Sequence, residues 1–206
     1  MKALSKAIIA AGLIGASSAQ AYTISADATV GRSFLDLKGR EAGAESKAMK
    51  SMEYTVAGHV QPMEELPFSV GLRAGFTMQD KNDLKVLPED KVESAAGWAI
   101  SPEAIAWVPA ELLGTVGEYA TPYARAGFQL EALGARNYKI NGTQRSAKTQ
   151  GFNIGMGLNV KATENVSAIL DYSYTQLSYQ EKTEGQKLDK SDLSSHTILV
   201  GAKFSV

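Results

Sequence analysis

The sequence has no cysteine, and only two histidines and two tryptophans, in 206 residues. Without thiols there is neither a disulfide framework nor a thiolate metal site. The fold must close by hydrogen bonding and packing alone. Two histidines leave little for a metal cluster or a histidine-activated nucleophile. Long apolar runs are also missing. The run AIIAAGLIGA, Ala7 to Ala16, falls well short of the roughly 20 residues a membrane-spanning helix needs, and no later segment approaches that length. The net charge of −1 leaves no basic footprint for nucleic acid.

What is present begins with an export pattern. Lys2 and Lys6 precede the apolar run. SSAQA follows it, with Ala19 and Ala21 at the minus-three and minus-one positions of a cut before Tyr22. Residues 1–21 read as a secretory signal peptide, leaving residues 22–206 as one domain.

The mature chain is dominated by a two-residue period. FSVGLRAGFTMQ, Phe68 to Gln79, places Phe68, Val70, Leu72, Ala74, Phe76 and Met78 on one face, and polar residues or glycine on the other. Similar runs span Tyr22–Leu37, Met52–Gln61, Thr121–Leu133, Gly151–Val160, Val166–Tyr179 and Ser195–Val206. With the less regular Ala95–Val108, eight strands are expected, each about as long as a tilted bilayer-spanning strand requires. Long charged loops are expected at 38–51, 80–94, 134–150 and 180–194, and short turns at 62–67 and 161–165. Residues 109–120 leave room for one helical turn. Asn141-Gly142 reads as a tight turn at a loop tip.

The polar face decides which side is inside. A soluble barrel would carry lysine and glutamate there. Here that face is mostly Gly, Ser, Thr and Asn, small enough for a narrow interior. Its few charges are Asp27, Glu53, Arg73, Arg125, Glu131, Asp171 and Lys203. Both signs occur, so they can pair; unpaired, they would be too costly to bury. Asp27, Arg73, Arg125 and Asp171 lie about four or five residues from the periplasmic starts of their upward strands and should share one layer across the interior. The apolar faces, with Phe68, Phe76, Phe152 and Phe204 near strand ends, then point to lipid. An open sheet edge in hydrocarbon would cost several kcal/mol per unpaired backbone group, so the first and last strands should pair. The expected fold is an all-β, eight-stranded antiparallel up-and-down transmembrane barrel.

On these features the mature chain resembles the small eight-stranded outer-membrane β-barrels of the OmpA and OmpX type. The C-terminal stretch HTILVGAKFSV carries part of the likeness. Ile198, Val200, Ala202, Phe204 and Val206 keep the alternating spacing that the family's assembly machinery reads, with Val206 in place of the usual terminal aromatic. The resemblance implies the bacterial outer membrane as location and a monomer as the working state. It implies as partners outer-membrane lipids, lipopolysaccharide, the barrel-assembly machinery and a surface ligand for the charged loops. No cofactor is expected.

Pro102 cannot donate to a ladder, so a bulge is expected there. It would place Trp98 and Ile100 toward lipid before it and Ile105 and Trp107 after it, with Trp107 in the periplasmic aromatic belt. His59 should be an interior histidine near that end, with Glu53 a few residues away on the same strand. His196 belongs to the apolar phase at the other rim, so the two cannot form one site. The expected protein is non-enzymatic, with a side-chain-filled lumen, little conductance, and a structural or surface-interaction role. The alternatives are a lipid-modifying barrel enzyme, a narrow passive channel, and a soluble lipocalin-like barrel.

Overall fold

The structure, a computed structural model, describes residues 23–37, 49–63, 66–79, 92–130, 133–140, 143–183, 186–187 and 191–206. The expected signal peptide, Glu131, the Asn141-Gly142 tip and most of the 38–51 and 80–94 loops lie outside them.

The strands are β1 (Thr23–Leu37), β2 (Met49–Gln61), β3 (Phe68–Gln79), β4 (Val92–Trp107), β5 (Ala120–Gln129), β6 (Gly134–Ile140), β7 (Thr143–Lys161), β8 (Val166–Thr183), β9 (Gln186–Lys187) and β10 (Ser191–Ser205). Eight of them close into an antiparallel barrel, β1-β2-β3-β4-β5-β7-β8-β10, with β10 returning to β1. The chain ends complete the seam. The Ile24 amide donates to the Val206 carbonyl at 2.8 Å and the Val206 amide to Ile24 at 2.9 Å. Pairing of the first and last strands leaves neither with an open edge along this seam, which is the condition for strands to span a bilayer.

The face assignment follows the alternation. Leu72, Ile154 and Phe128 are 54%, 52% and 48% exposed, whereas Arg125 is 5% exposed. Tyr54, Phe76 and Trp98 sit on one rung across β2, β3 and β4, an aromatic row on the outer surface. Short connections join the end that carries both termini. One holds helix α1 (Ala110–Leu113), followed by a 3₁₀ turn over Gly114–Glu118. Gly114, at φ 58°, makes that junction, a conformation costly for any residue with a Cβ.

Three expectations are corrected. Residues 134–150 are not a loop: β6 and β7 form a hairpin paired from Ala135↔Lys148 to Ile140↔Thr143. Residues 180–194 are partly strand, since β8 runs to Thr183 and β10 begins at Ser191. Third, β4 has no bulge at Pro102. Its register with β3 runs unbroken from Phe68↔Ala106 to Gln79↔Ala95, so Pro102 faces outward and Ile105 and Trp107 face inward. Trp107 is therefore not part of an aromatic belt.

The irregularity falls on the strand opposite. Glu103 faces Gly127 of β5, and Ala99 faces Gly134 of β6, so four steps along β4 correspond to seven along its partner. The fifth spanning strand is thus interrupted between Gln129 and Gly134. Pro102 stands at that gap, where a missing N–H removes nothing from the ladder.

Candidate functional site

Unbroken alternation along β4 turns Glu103 inward, and this one residue organises the lumen. It is 5% exposed and its carboxylate meets three donors. His59 Nε2 donates to Oε1 at 2.6 Å. Arg73 Nε lies 3.0 and 2.9 Å from its two oxygens, and Arg125 Nη1 reaches Oε2 at 3.4 Å. These donors stand on β2, β3 and β5, so the hub ties β4 to three other strands.

The layer continues on both sides. Arg125 grips Asp171 with two parallel bonds, Nε to Oδ2 and Nη2 to Oδ1, each 2.9 Å. Paired bonds of this kind are the strongest side-chain contacts available to a carboxylate. The Tyr123 hydroxyl adds a third bond to Oδ2 at 2.7 Å, and Arg125 Nη1 donates to Asn153 at 2.8 Å. On the other side, Asp27 lies 3.6 Å from both His59 Nδ1 and Arg73 Nη1, and Arg73 Nη1 donates to Thr55 at 2.8 Å. Ionisable groups from six strands cross the lumen as one connected layer.

Small residues make room for it. A Cβ on Gly71 would strike the His59 ring, one on Gly157 the Tyr123 ring, and one on Gly155 the Arg125 side chain. These glycines serve space rather than backbone freedom.

The layer divides the interior. On the side of the termini, Ile105, Tyr123 and Ile169 pack together with Trp107 against them, and the Lys203 ammonium lies 4.8 Å over the Trp107 ring. Lys203 also borders a very small cavity beside Asp27. On the other side is a cavity of about 80 Å³, floored by Arg73 and Arg125 and walled by Glu53 and the hydroxyls of Ser33, Thr77 and Thr175.

Of the charges expected inside, Asp27, Arg73, Arg125 and Asp171 meet in the layer. Glu53 stands above it, where Thr197 donates to its Oε2 at 3.2 Å, and Lys203 below it. His59 pairs with Glu103, not Glu53. Glu103 was missed because a bulge at Pro102 would have turned it outward. The C-terminal residues Ile198, Val200, Phe204 and Val206 are 49–65% exposed on the outer face of β10 and just beyond it.

Both ring nitrogens of His59 face carboxylates, so it polarises no hydroxyl nucleophile. His196 is on the opposite side of the wall, bonded through Nδ1 to the Tyr172 hydroxyl at 2.7 Å. Among the described residues, no group of three His, Asp or Glu is placed to hold a metal ion.

The fold and its filled, ion-paired lumen define a small outer-membrane barrel. The family model for the outer membrane protein beta-barrel domain matches residues 7–205, and the chain belongs to that family. Its place is the bacterial outer membrane. No curated protein matches it by sequence. Among solved structures it is similar to Neisserial surface protein A, at 14% identity and TM-score 0.58, over 89% of this chain and 96% of that one. It is also similar to the outer membrane protein OprG from Pseudomonas aeruginosa, at 11% identity and TM-score 0.50, over 90% and 95%. At these identities the likeness concerns the fold.

Proposed function

We propose that this protein is a non-enzymatic barrel of the outer membrane, closed to through-flow, whose role is structural or one of surface interaction. The observation that carries the reading is Glu103, joined to His59, Arg73 and Arg125 across the lumen. Such a set satisfies its own charges and leaves no reacting group poised over a substrate. In this reading the start of β1, the end of β10 and the short turns face the periplasm, and the β6–β7 hairpin faces outward. Residues 1–21 act as the export signal, and Ile198 to Val206 present the alternation that the assembly machinery reads. Outer-membrane lipids and lipopolysaccharide surround a monomer, and the surface segments meet its ligand.

Planar-bilayer recording tests the closed lumen. The wild type should show little or no conductance, and Glu103→Ala should raise it. A large, stable open pore in the wild type would overturn the reading.

A further inference from the structure

The lumen layer leaves one set of basic side chains unexplained, and it lies on the outer wall. Arg32 projects from the lipid-facing side of β1, between Val30 and Phe34, each 37% exposed. Its rung partners are Met52 of β2 and Ile198 of β10. On the next outward rung, Phe34 pairs with Lys50 on one side and His196 on the other. Same-face neighbours on a ladder stand about 4.5–5.5 Å apart at Cβ, and diagonal ones about 7–8 Å. Three basic residues are therefore ladder or same-strand neighbours of one phenylalanine on the outer face. Arg32 and Lys50 form no ion pair with any described residue.

His196 is held in place. The Tyr172 hydroxyl meets Nδ1 at 2.7 Å, and the Tyr174 ring lies 5.1 Å from the imidazole, tilted by 51°. The hydroxyl occupies Nδ1, which leaves Nε2 as the ring nitrogen outside that bond.

Depth sets what these groups meet. Arg32 is nine residues along from Thr23, about 30 Å of strand and about 23 Å along the axis at a tilt near 40°. The lipid-facing apolar band of such barrels is about 25 Å tall. The cluster thus stands at the outer margin of that band. Beside and beneath it lies an apolar strip, Ile198 level with Arg32 and Val30 and Val200 on the next rung, 49%, 37% and 52% exposed.

We infer that Arg32, Lys50 and His196 form a binding site for the phosphate groups of an outer-leaflet glycolipid, the lipid A part of lipopolysaccharide, with its acyl chains along that strip. Charge complementarity selects phosphate, and the apolar strip selects an amphiphile over a soluble anion. The inference rests on the outward orientation proposed above.

The test titrates the full chain, folded in detergent, with bisphosphorylated lipid A, dephosphorylated lipid A, phosphatidylglycerol and inorganic phosphate. Native mass spectrometry reads the bound lipid. Arg32→Ser/Lys50→Gln/His196→Asn is compared with Lys148→Gln, an exposed lysine on β7. Wild type should prefer phosphorylated over dephosphorylated lipid A about tenfold. The triple variant should lose about tenfold in lipid A affinity and Lys148→Gln nothing. If the triple variant does not fold, Arg32→Gln carries the test, with about a threefold loss expected. Normal binding by the variant, an equal loss in Lys148→Gln, equal affinity for phosphatidylglycerol, or competition by millimolar phosphate would each overturn the site. Heat-dependent gel migration separates the two readings. A variant that keeps the shift and binds normally sinks the site alone; a wild type without the shift sinks the barrel reading.

Discussion

Glu103 and His59, 44 residues apart in the chain, meet at 2.6 Å in the middle of the lumen, with both side chains almost wholly buried. Glu103 is the point where four strands share one carboxylate. Replacing it with alanine would leave Arg73, Arg125 and His59 facing one another without their common acceptor. The expected loss is about 3–5 kcal/mol of folding stability, because an orphaned buried charge costs more than its pair contributed. Urea unfolding in lipid vesicles measures it. Glu103→Gln keeps the shape and an acceptor oxygen, and should fall between alanine and wild type; equal stability of all three would refute the hub.

Space inside the barrel is as specific as charge. Gly157→Val drives a side chain into the Tyr123 ring and displaces its hydroxyl from Asp171. The expected cost is about 1–3 kcal/mol from overpacking. Gly58, where an added Cβ meets nothing within 4 Å, is the control: Gly58→Ala should change stability by less than about 0.5 kcal/mol. Unfolding midpoints of the two variants decide the matter, and similar values would contradict the packing account.

On the outer wall the rule reverses. Leu72 is 54% exposed and sits near the middle of β3. Leu72→Arg should cost about 2–4 kcal/mol in a bilayer, the usual range for a cation at the midplane of a barrel's lipid face. Refolding titrations into vesicles give the number. A variant as stable as wild type in lipid would mean that this face does not meet acyl chains.

Pro102 offers a test of the interrupted strand. Its carbonyl lies beside Gly127 of β5, and beyond it the register jumps to Ala99↔Gly134. Pro102→Ala should shift stability by less than about 1 kcal/mol, since no ladder bond waits for the new N–H. Ala104→Pro, in the continuous ladder with Ala126, should cost about 1–3 kcal/mol for the carbonyl left unpaired. Equal effects in paired unfolding experiments would show that the gap is not where the register places it.

The gap also marks where reading from sequence went astray. A proline in a strand signals an irregularity, and the physics behind that signal holds. A chain pattern cannot show whether the irregularity falls on the proline's own strand or on the one facing it. Placing it on β4 inverted the phase of Glu103, Ile105 and Trp107. One misplaced residue thus hid the hub of the polar layer and the apolar plug beneath it. Similarly, 134–150 carries loop-like charge and an Asn-Gly pair, yet pairing with β4 and β7 makes it strand.

Sequence alone determined most of the strands and, outside β4, their two faces, with closure of the barrel and its lipid setting, because a period of two with small polar residues on one side has few physical solutions. The partners of each charge were decided only by the closed barrel. Register and tilt bring Asp27, His59, Arg73, Glu103, Arg125 and Asp171 to one level. Residues that distant in the chain meet only after every strand has found its neighbour.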